Sequence, residues 1–251
     1  MKLKILICVL LLISTVFSVC GCVSSNEIEF EGVIYKKLSM KGHDPYMTVL
    51  SVSEDANEKN IYVYDEIYDI PVTTTGSKLF MSDTARFFQN ENLERIYFPW
   101  TIKSRADTTA WSSSIKYIFS PSTTIIVDNT TFKTFVIPKL TYDNAVETNY
   151  LGEVLYNGTD HLIPANVSYF FNYQSNPNNG YFFVDLIEET GKLTKPPYDP
   201  KRDGYKFAGW YKDAECTNQW NFETDTVTIN FDKNGERIYE EIKLYAKWVK
   251  H

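Results

Sequence analysis

Residues 197–211 read PYDPKRDGYKFAGWY, and this stretch decides the fold of the C-terminal third of the chain. A turn signal ends at Gly204, and Tyr205 and Phe207 then alternate as they would on one face of a β-strand. Gly209, inside the same run, is expected to let another backbone approach closely beside Trp210. The stretch therefore predicts a half-buried strand that starts directly after a tight turn.

Strands with the same period of two surround this stretch. Upstream, the apolar residues at 167, 169, 171 and 173 alternate on one face, residues 176–180 (NPNNG) form a turn, and residues 181–187 form a second apolar strand. Downstream, residues 242–248 read IKLYAKW. Alternation places Ile242, Leu244, Ala246 and Trp248 on one face and the two lysines and Tyr245 on the other. The segment is therefore predicted to be a β-sheet with an aromatic core.

These elements together resemble the Listeria–Bacteroides repeat, also called the internalin B repeat, over about residues 165–250. The resemblance implies a small β-grasp-like domain that occurs, usually in tandem, on surface proteins as a spacer, adhesion or protein-contact module. It transfers no catalytic residue. The residues that match its core motif are Gly204, Tyr205, Phe207, Gly209, Trp210, Tyr211, Leu244, Tyr245 and Trp248.

Residues 229–241 are an insertion relative to the short link that the repeat family usually has before its last strand. Asn234 and Gly235 read as a hairpin turn, and acidic side chains flank it. Because this hairpin is the most individual surface of the segment, Asp232 and Glu236 at its tip are candidates for an interaction surface.

The middle of the chain carries a second pattern. Residues 93–99, 115–121 and 132–138 each read apolar-x-x-apolar-x-x-Pro, and residues 67–72 look like a partial copy. Stacked strands of one repeat type bury a continuous apolar ladder, and proline ends each strand. Over roughly residues 33–150 the pattern resembles the BspA-like class of leucine-rich repeats. The alternative is an irregular β domain whose strands merely end in proline.

The N-terminus predicts export. Lys2 and Lys4 precede an apolar run over residues 5–19, which has the charge layout of a signal peptide and is too short to span a bilayer comfortably. The run ends in Gly21 and Cys22, which resemble the lipobox of bacterial lipoprotein precursors. The resemblance implies that Cys22 is lipidated and anchors the chain to the membrane, facing the extracytoplasmic side. The alternative is an ordinary signal peptide whose cleavage releases a soluble protein.

Charge and motif content exclude several functions. Loss of residues 1–21 removes two lysines and no acidic side chain, and so lowers the net charge from −7 to −9, which argues against nucleic acid. With Cys22 lipidated, only Cys216 remains and no internal disulfide can form. The chain has no nucleophile elbow, zinc-binding helix motif, phosphate loop or dinucleotide fingerprint. We therefore expect no cofactor, no metal and no enzymatic activity.

The sequence as a whole predicts a mainly β protein in which an irregular leucine-rich-repeat-like region precedes a small β-grasp-like C-terminal domain. The predicted parts are a signal peptide (1–21), a lipidated tether (22–32), the repeat-like region (33–164) and the internalin B type repeat (165–251). The predicted function is a non-catalytic cell-surface binding or adhesion module for an unknown protein or polysaccharide.

Two other functions remain open at this stage. One is a structural spacer in the envelope, and the other is a glycan- or solute-binding lipoprotein. For the glycan binder, exposed Trp100 and Trp111, with Tyr117, would supply the platform.

Overall fold

The computed structural model describes residues 26–39, 41–53, 56, 58–75, 86–87, 91–102, 104–105, 110–111, 114–122, 134–143, 147–148, 154–156, 162–236, 238 and 240–251. The mainly β prediction is confirmed, since most of the regular structure is strand. Helical structure in these residues consists of the short helix α1 (Lys139–Asp143) and a 3₁₀ turn (Asn178–Gly180). No helix in the described part of the chain is long and apolar enough to cross a membrane.

The N-terminal sheet is mixed, with three antiparallel and four parallel strand pairs among the described residues. Its core order is β1-β2-β3-β6-β5, with β7 beside β3, β10 beside β7 and β9 beside β6. Its strands are β1 (Glu27–Phe30), β2 (Val33–Leu38), β3 (Tyr46–Val52), β5 (Glu66–Ile67), β6 (Ile70–Thr75), β7 (Arg86–Phe87), β9 (Ser104–Arg105) and β10 (Ala110–Trp111).

A second sheet, here called the repeat sheet, is entirely parallel. Its order is β15-β12-β11-β8-β4, so the strands stack as they follow one another along the chain. The three proline-terminated segments supply its three inner strands. The strands are β4 (Asn60–Tyr62), β8 (Arg95–Tyr97), β11 (Tyr117–Phe119), β12 (Thr134–Ile137) and β15 (Leu162–Pro164).

The in-register pairing gives the repeat sheet two apolar faces. Equivalent positions form a ladder toward the N-terminal sheet: Ile61, Ile96, Ile118, Phe135 and Leu162. The next position of each strand forms a ladder toward the C-terminal sheet: Tyr62, Tyr97, Phe119, Val136 and Ile163. Parallel sheets are usually covered on both sides. The repeat sheet is accordingly the middle layer of a three-layer core.

The predicted partial repeat at residues 67–72 is wrong. Ile67 pairs with Ile70 across a two-residue turn whose residues, Tyr68 and Asp69, both have positive φ. Such a turn joins antiparallel strands, so this segment forms the β5–β6 hairpin of the N-terminal sheet. The strand that pairs with β8 on its free side is instead β4.

The C-terminal sheet has four strands in the order β17-β16-β19-β18. They are β16 (Val167–Phe170), β17 (Tyr181–Asp185), β18 (Tyr205–Tyr211) and β19 (Ile242–Lys250). Two antiparallel pairs flank a parallel contact between β16 and β19. A separate two-stranded sheet joins β13 (Glu147–Thr148) and β14 (Val154–Tyr156). The leucine-rich-repeat and β-grasp resemblances stay predictions.

An aromatic stack joins the repeat sheet to the C-terminal sheet. The Tyr97 ring lies almost parallel to Phe119 at 4.2 Å and to Phe183 at 5.3 Å between centroids. Tyr62 stacks on Tyr97 at 4.7 Å, and Tyr169 meets Phe183 edge-on. Offset and edge-on aromatic pairs stabilise a core beyond the burial of their surface. The predicted boundary after residue 164 thus lies between two sheets that share one core.

Candidate binding cleft

A row of four aromatic side chains crosses the face of the C-terminal sheet that points away from the repeat sheet. Phe170 is paired with Tyr181 on one side and Tyr245 on the other, and Tyr245 is paired with Tyr211. Directly paired residues of neighbouring strands point to the same face. Phe170 stacks on Tyr245 at 5.4 Å and 20°. The row therefore contains one residue from each strand.

The loop after β16 limits one side of this row. The expected face of alternating residues 167–173 is shorter in the structure, because the strand ends at Phe170 and Asn172 has φ 55°. Within residues 172–180 the residues with positive φ are Asn172, Ser175, Asn178, Asn179 and Gly180. Asparagine and glycine tolerate this conformation better than other residues. The sequence NYQSNPNNG thus permits a tightly folded loop.

Side-chain amides fix the loop in place. Asn172 Nδ2 donates to the backbone oxygens of Ala214 (2.9 Å) and Ala246 (3.2 Å). Asn178 Nδ2 donates to the oxygens of Pro121 (2.7 Å) and Tyr181 (2.9 Å). Pro121 follows β11, so the loop is held by both the C-terminal and the repeat sheets. Its shape is consequently set before any ligand arrives.

Between the loop and the aromatic row lies an open cleft of about 440 Å³. This is within the size range of ligand-binding pockets. Aromatic walls come from Phe170, Tyr173 and Tyr245, and amide groups come from Asn172, Gln174, Asn176 and Asn179; Gly180 completes the lining. None of these described lining residues is charged, although the chain as a whole carries a net charge of −7.

Tyr173, one of the rings that line the cleft, stays neutral around physiological pH. Burial raises the pKa of Tyr173, and the nearby Arg202 guanidinium, 4.6 Å from its ring centre, opposes the rise. A neutral phenol is both a hydrogen-bond donor and an acceptor. The described lining residues therefore offer flat apolar surface and uncharged polar groups, and none of them is a carboxylate, amine, imidazole or thiol.

The predicted family motif is divided between the two faces of the C-terminal sheet. Trp210 and Leu244 are buried in the inner core, and Phe207 and Trp248 pack against it half-buried. Tyr211 and Tyr245 belong to the outer aromatic row. Gly204 and Tyr205 lie at the turn into β18, where Gly204 has φ 73° and the Arg202 guanidinium covers the Tyr205 ring at 3.7 Å.

Glycine occurs at position 209 because of a bulge and a nearby side chain, and not because another backbone approaches it. Its φ is 107°, and a Cβ atom there would lie 2.8 Å from Nε2 of Gln219, which is a side-chain atom. The register of β18 against β19 shifts between Phe207 and Trp210. Glycine is thus needed for a bulge that leaves room for the Gln219 amide.

The two hairpin candidates, Asp232 and Glu236, lie on either side of the predicted turn and are joined by a hydrogen bond within it. Oδ1 of Asp232 accepts hydrogen bonds from the backbone N–H groups of Asn234 and Glu236, each at 2.8 Å. Gly235 has φ 80°, as the predicted turn requires. Asp232 therefore stabilises the turn, while the Glu236 side chain is exposed.

The predicted aromatic platform is not formed by Trp100 and Tyr117. Trp100 is half-buried; its indole N–H donates to Oδ2 of Asp65 at 3.3 Å, and its ring meets Phe171 edge-on. The Tyr117 hydroxyl donates to Glu188 at 3.0 Å. Both side chains lie where the N-terminal half meets the C-terminal sheet. Trp111 belongs to β10, but its side chain lies outside the described part.

Other candidates carry little reactive chemistry. Burial raises the pKa of the Cys216 thiol, against the opposing hydrogen bond from Asn172 Nδ2 at 3.4 Å. Among the described residues, no three His, Cys, Asp or Glu side chains lie close enough to hold a metal ion. Cys22 and residues 1–21 lie outside the described residues.

Residues 169–247 match the family described as the Listeria-Bacteroides repeat domain, so this part of the resemblance is confirmed. Two proteins of Evansella cellulosilytica, a provisionally named membrane protein and a provisionally named Gly-rich membrane protein, are 35% identical to the chain over 71 residues. That segment is 28% of this chain, and 9% and 7% of the respective relatives. The chain thus spans less than a tenth of either relative.

Proposed function

We propose that this chain is a lipid-anchored module on the outer side of a bacterial membrane that binds a protein or an envelope polymer and catalyses no reaction. The observation that carries the proposal is the open, uncharged cleft on the C-terminal sheet. It lies inside the segment that matches a Listeria-Bacteroides repeat. The cleft can recognise flat and polar surfaces, while its lining offers no acid–base pair for chemistry.

The anchor part of the proposal rests on the N-terminal pattern. A basic start, a short apolar run and the pair Gly21–Cys22 fit lipidation of Cys22 and cleavage before it. Two acyl chains anchor a protein stably, since each buried CH₂ contributes roughly 0.8 kcal/mol. The names of the two Evansella relatives, both called membrane proteins, support membrane association.

The repeat sheet supports the proposal through its architecture. We infer that it is a short leucine-rich-repeat-like stack, because successive proline-terminated segments pair in parallel and in register. Its second apolar face is covered by the C-terminal sheet. In this account the stack is the rigid base that holds the cleft away from the membrane.

A structural spacer is the second candidate. It is favoured by the continuous packing of the N-terminal, repeat and C-terminal sheets into two adjoining aromatic and aliphatic cores. A spacer needs rigidity and no ligand. Binding measurements on otherwise intact protein therefore separate the two functions.

The binding proposal is tested with purified residues 24–251 and isolated cell envelopes. Deletion of the C-terminal sheet would expose the aromatic face of the repeat sheet, so point variants are the better choice. We expect the double variant Gln174→Ala, Asn179→Gly to lose at least fivefold in cosedimentation with envelopes; glycine keeps the left-handed conformation at position 179. The hairpin variant Asp232→Asn, Glu236→Gln should bind like wild type.

Loss of binding by the hairpin variant, with binding kept by the cleft variant, would place the binding site on the hairpin. Retention of no protein under any condition would favour the spacer function.

The anchor is tested separately by cell fractionation. Because cleavage before residue 22 requires the lipidated cysteine, Cys22→Ser in the full chain should abolish incorporation of labelled fatty acid and leave residues 1–21 uncleaved in each cell fraction, whereas Cys20→Ser, two residues away, should be labelled and cleaved like wild type. Equal behaviour of the two variants would contradict lipidation at Cys22.

A further inference from the structure

The position of the cleft within the sheet restricts how a ligand can be held. Phe170 lies on β16 and Tyr245 on β19, and these are the two inner strands of the four-stranded sheet. Each inner strand already has a partner strand on both sides. An extended peptide binds by adding a strand to a free sheet edge. That mode is closed here, so the ligand must be recognised by side chains.

The side chains available are flat rings and amides. Phe170 and Tyr245 lie nearly parallel and are half-buried, so they present part of their surface to the cleft. Gln174 and Asn179, both exposed, also line the cleft and come from the loop of residues 172–180. Each amide can donate and accept hydrogen bonds at once. This pairing suits a ligand that has both apolar C–H faces and many hydroxyl groups.

The charge of the lining argues against ionic ligands. An anionic polymer needs lysine or arginine at its binding site, and a cationic one needs carboxylates. The described residues that line the cleft provide neither, and the Arg202 guanidinium, 4.6 Å from the centre of the Tyr173 ring, is not among them. A ligand whose polar groups are all uncharged avoids the cost of burying an unpaired charge in such a site, and its hydroxyl groups need only hydrogen-bond partners.

From this placement we propose that the cleft binds an uncharged glycan chain. A sugar ring lies with its C–H face on the Phe170–Tyr245 pair, and its hydroxyl groups bond to the amides of Gln174 and Asn179. This inference rests on the proposed binding function and names its ligand class. The anchored loop of residues 172–180 holds the two walls apart before binding, which lowers the ordering cost.

The test uses residues 24–251 and a panel of purified neutral sugars: a β-glucan oligomer, a mannan and a chitin oligomer. Isothermal titration calorimetry should give saturable binding of at least one sugar. Tyr245→Ala and Gln174→Ala should each weaken that binding about tenfold or more, whereas Tyr245→Phe should retain most of it, because the ring is kept. Tyr68→Ala, which removes an exposed tyrosine of the N-terminal sheet, is the matched control and should bind like wild type.

Circular dichroism and the melting temperature show whether a variant is folded. Since Gln174 is exposed, Gln174→Ala keeps the test decisive even if Tyr245→Ala is unstable. Absence of binding to every neutral sugar would overturn the proposal, as would equal binding by wild type and the cleft variants.

Competition on cell envelopes separates this inference from the proposed function. Release of bound protein by a neutral sugar supports both. If retention depends on Gln174 but only a peptide or an anionic polymer releases the protein, the glycan inference fails while the binding function stands. If envelopes retain no protein, both fail.

Discussion

The hydroxyl group of Tyr97 donates a 2.9 Å hydrogen bond to Oδ1 of Asp185, and this contact links the repeat sheet to the C-terminal sheet. Asp185 is 1% exposed, and its Oδ1 also accepts from the backbone N–H of Leu186 at 2.8 Å. The Arg95 guanidinium lies 3.8 Å away. The other carboxylate oxygen of Asp185, Oδ2, has no hydrogen-bond partner among the described residues.

The first prediction concerns this buried carboxylate. Tyr97→Phe keeps the aromatic stack but removes one of the few donors to Asp185. A buried group that loses a hydrogen-bond partner costs about 1–3 kcal/mol, so we expect urea unfolding to show a loss of that size. Tyr68→Phe, which removes an exposed hydroxyl, should leave the unfolding free energy unchanged. Equal stability of the two variants would show that the Tyr97 contact does not bind the sheets together.

The second prediction concerns pH. Burial raises the pKa of Asp65 to about 6, Glu66 adds to the rise, and the hydrogen bond from Trp100 opposes it. The unfolded carboxyl has its ordinary pKa near 4. Between about pH 4 and 6 the folded chain therefore binds more protons than the unfolded chain, and the stability contributed by Asp65 falls as pH rises.

Asp65→Asn should remove this dependence and keep an acceptor for the Trp100 indole. One pKa unit corresponds to about 1.4 kcal/mol, and the group is only partly buried. We therefore expect the unfolding free energy of the variant minus that of wild type to be about 1–2 kcal/mol larger at pH 7 than at pH 4. Chemical denaturation at both pH values measures the difference. A gain that does not change with pH would contradict the prediction.

The third prediction concerns the bulge in β18. Gly209→Ala should destabilise the protein by about 1–3 kcal/mol, because the φ of 107° is strained for alanine, whereas the Gln219 amide near the new methyl group is the end of a flexible side chain and can move. Gly191 is the control, since a Cβ there meets nothing within 4 Å and its φ is ordinary. Melting temperatures of the two alanine variants should differ clearly, and the same melting temperature for both would refute a required glycine at position 209.

The fourth prediction concerns Cys216. Burial raises the pKa of its thiol, so little thiolate is present near neutral pH. In residues 24–251, which lack Cys22, an aromatic disulfide reagent at pH 7.5 should react at least tenfold more slowly with the folded protein than with the urea-unfolded protein. Fast reaction of the folded protein would instead indicate an activated cysteine.

Local periodicity was sufficient to predict the strands of the C-terminal sheet and the stacking segments of the repeat sheet. Alternation fixes which face of residues 242–248 is buried, and a recurring Pro marks each strand end. The same reasoning failed at residues 67–72, since two apolar residues three positions apart also fit a hairpin with a two-residue turn. A pattern of this length does not distinguish the two structures.

The candidate cleft could not be predicted from the sequence. The alternation of residues 167–173 places Phe170 on the face opposite Tyr169 and Phe171, but it does not show which strand lies beside β16 or which residue pairs with Phe170. Its partner Tyr245 is 75 positions away. Trp100 contacts Asp65 and Phe171, which lie far from it in the chain, so the sequence does not show that its ring is half-buried. The run of asparagines in residues 172–179 was the one local signal of an unusual loop.

The central claim, that the outer face of the C-terminal sheet is the contact site, is tested most directly by hydrogen–deuterium exchange of residues 24–251 with and without cell envelopes. We expect slower exchange on binding in peptides that cover residues 167–181 and 242–249, with little change in the N-terminal sheet. Protection confined to the hairpin at residues 229–241 or to the repeat sheet, or no protection in the presence of bound envelope material, would contradict it.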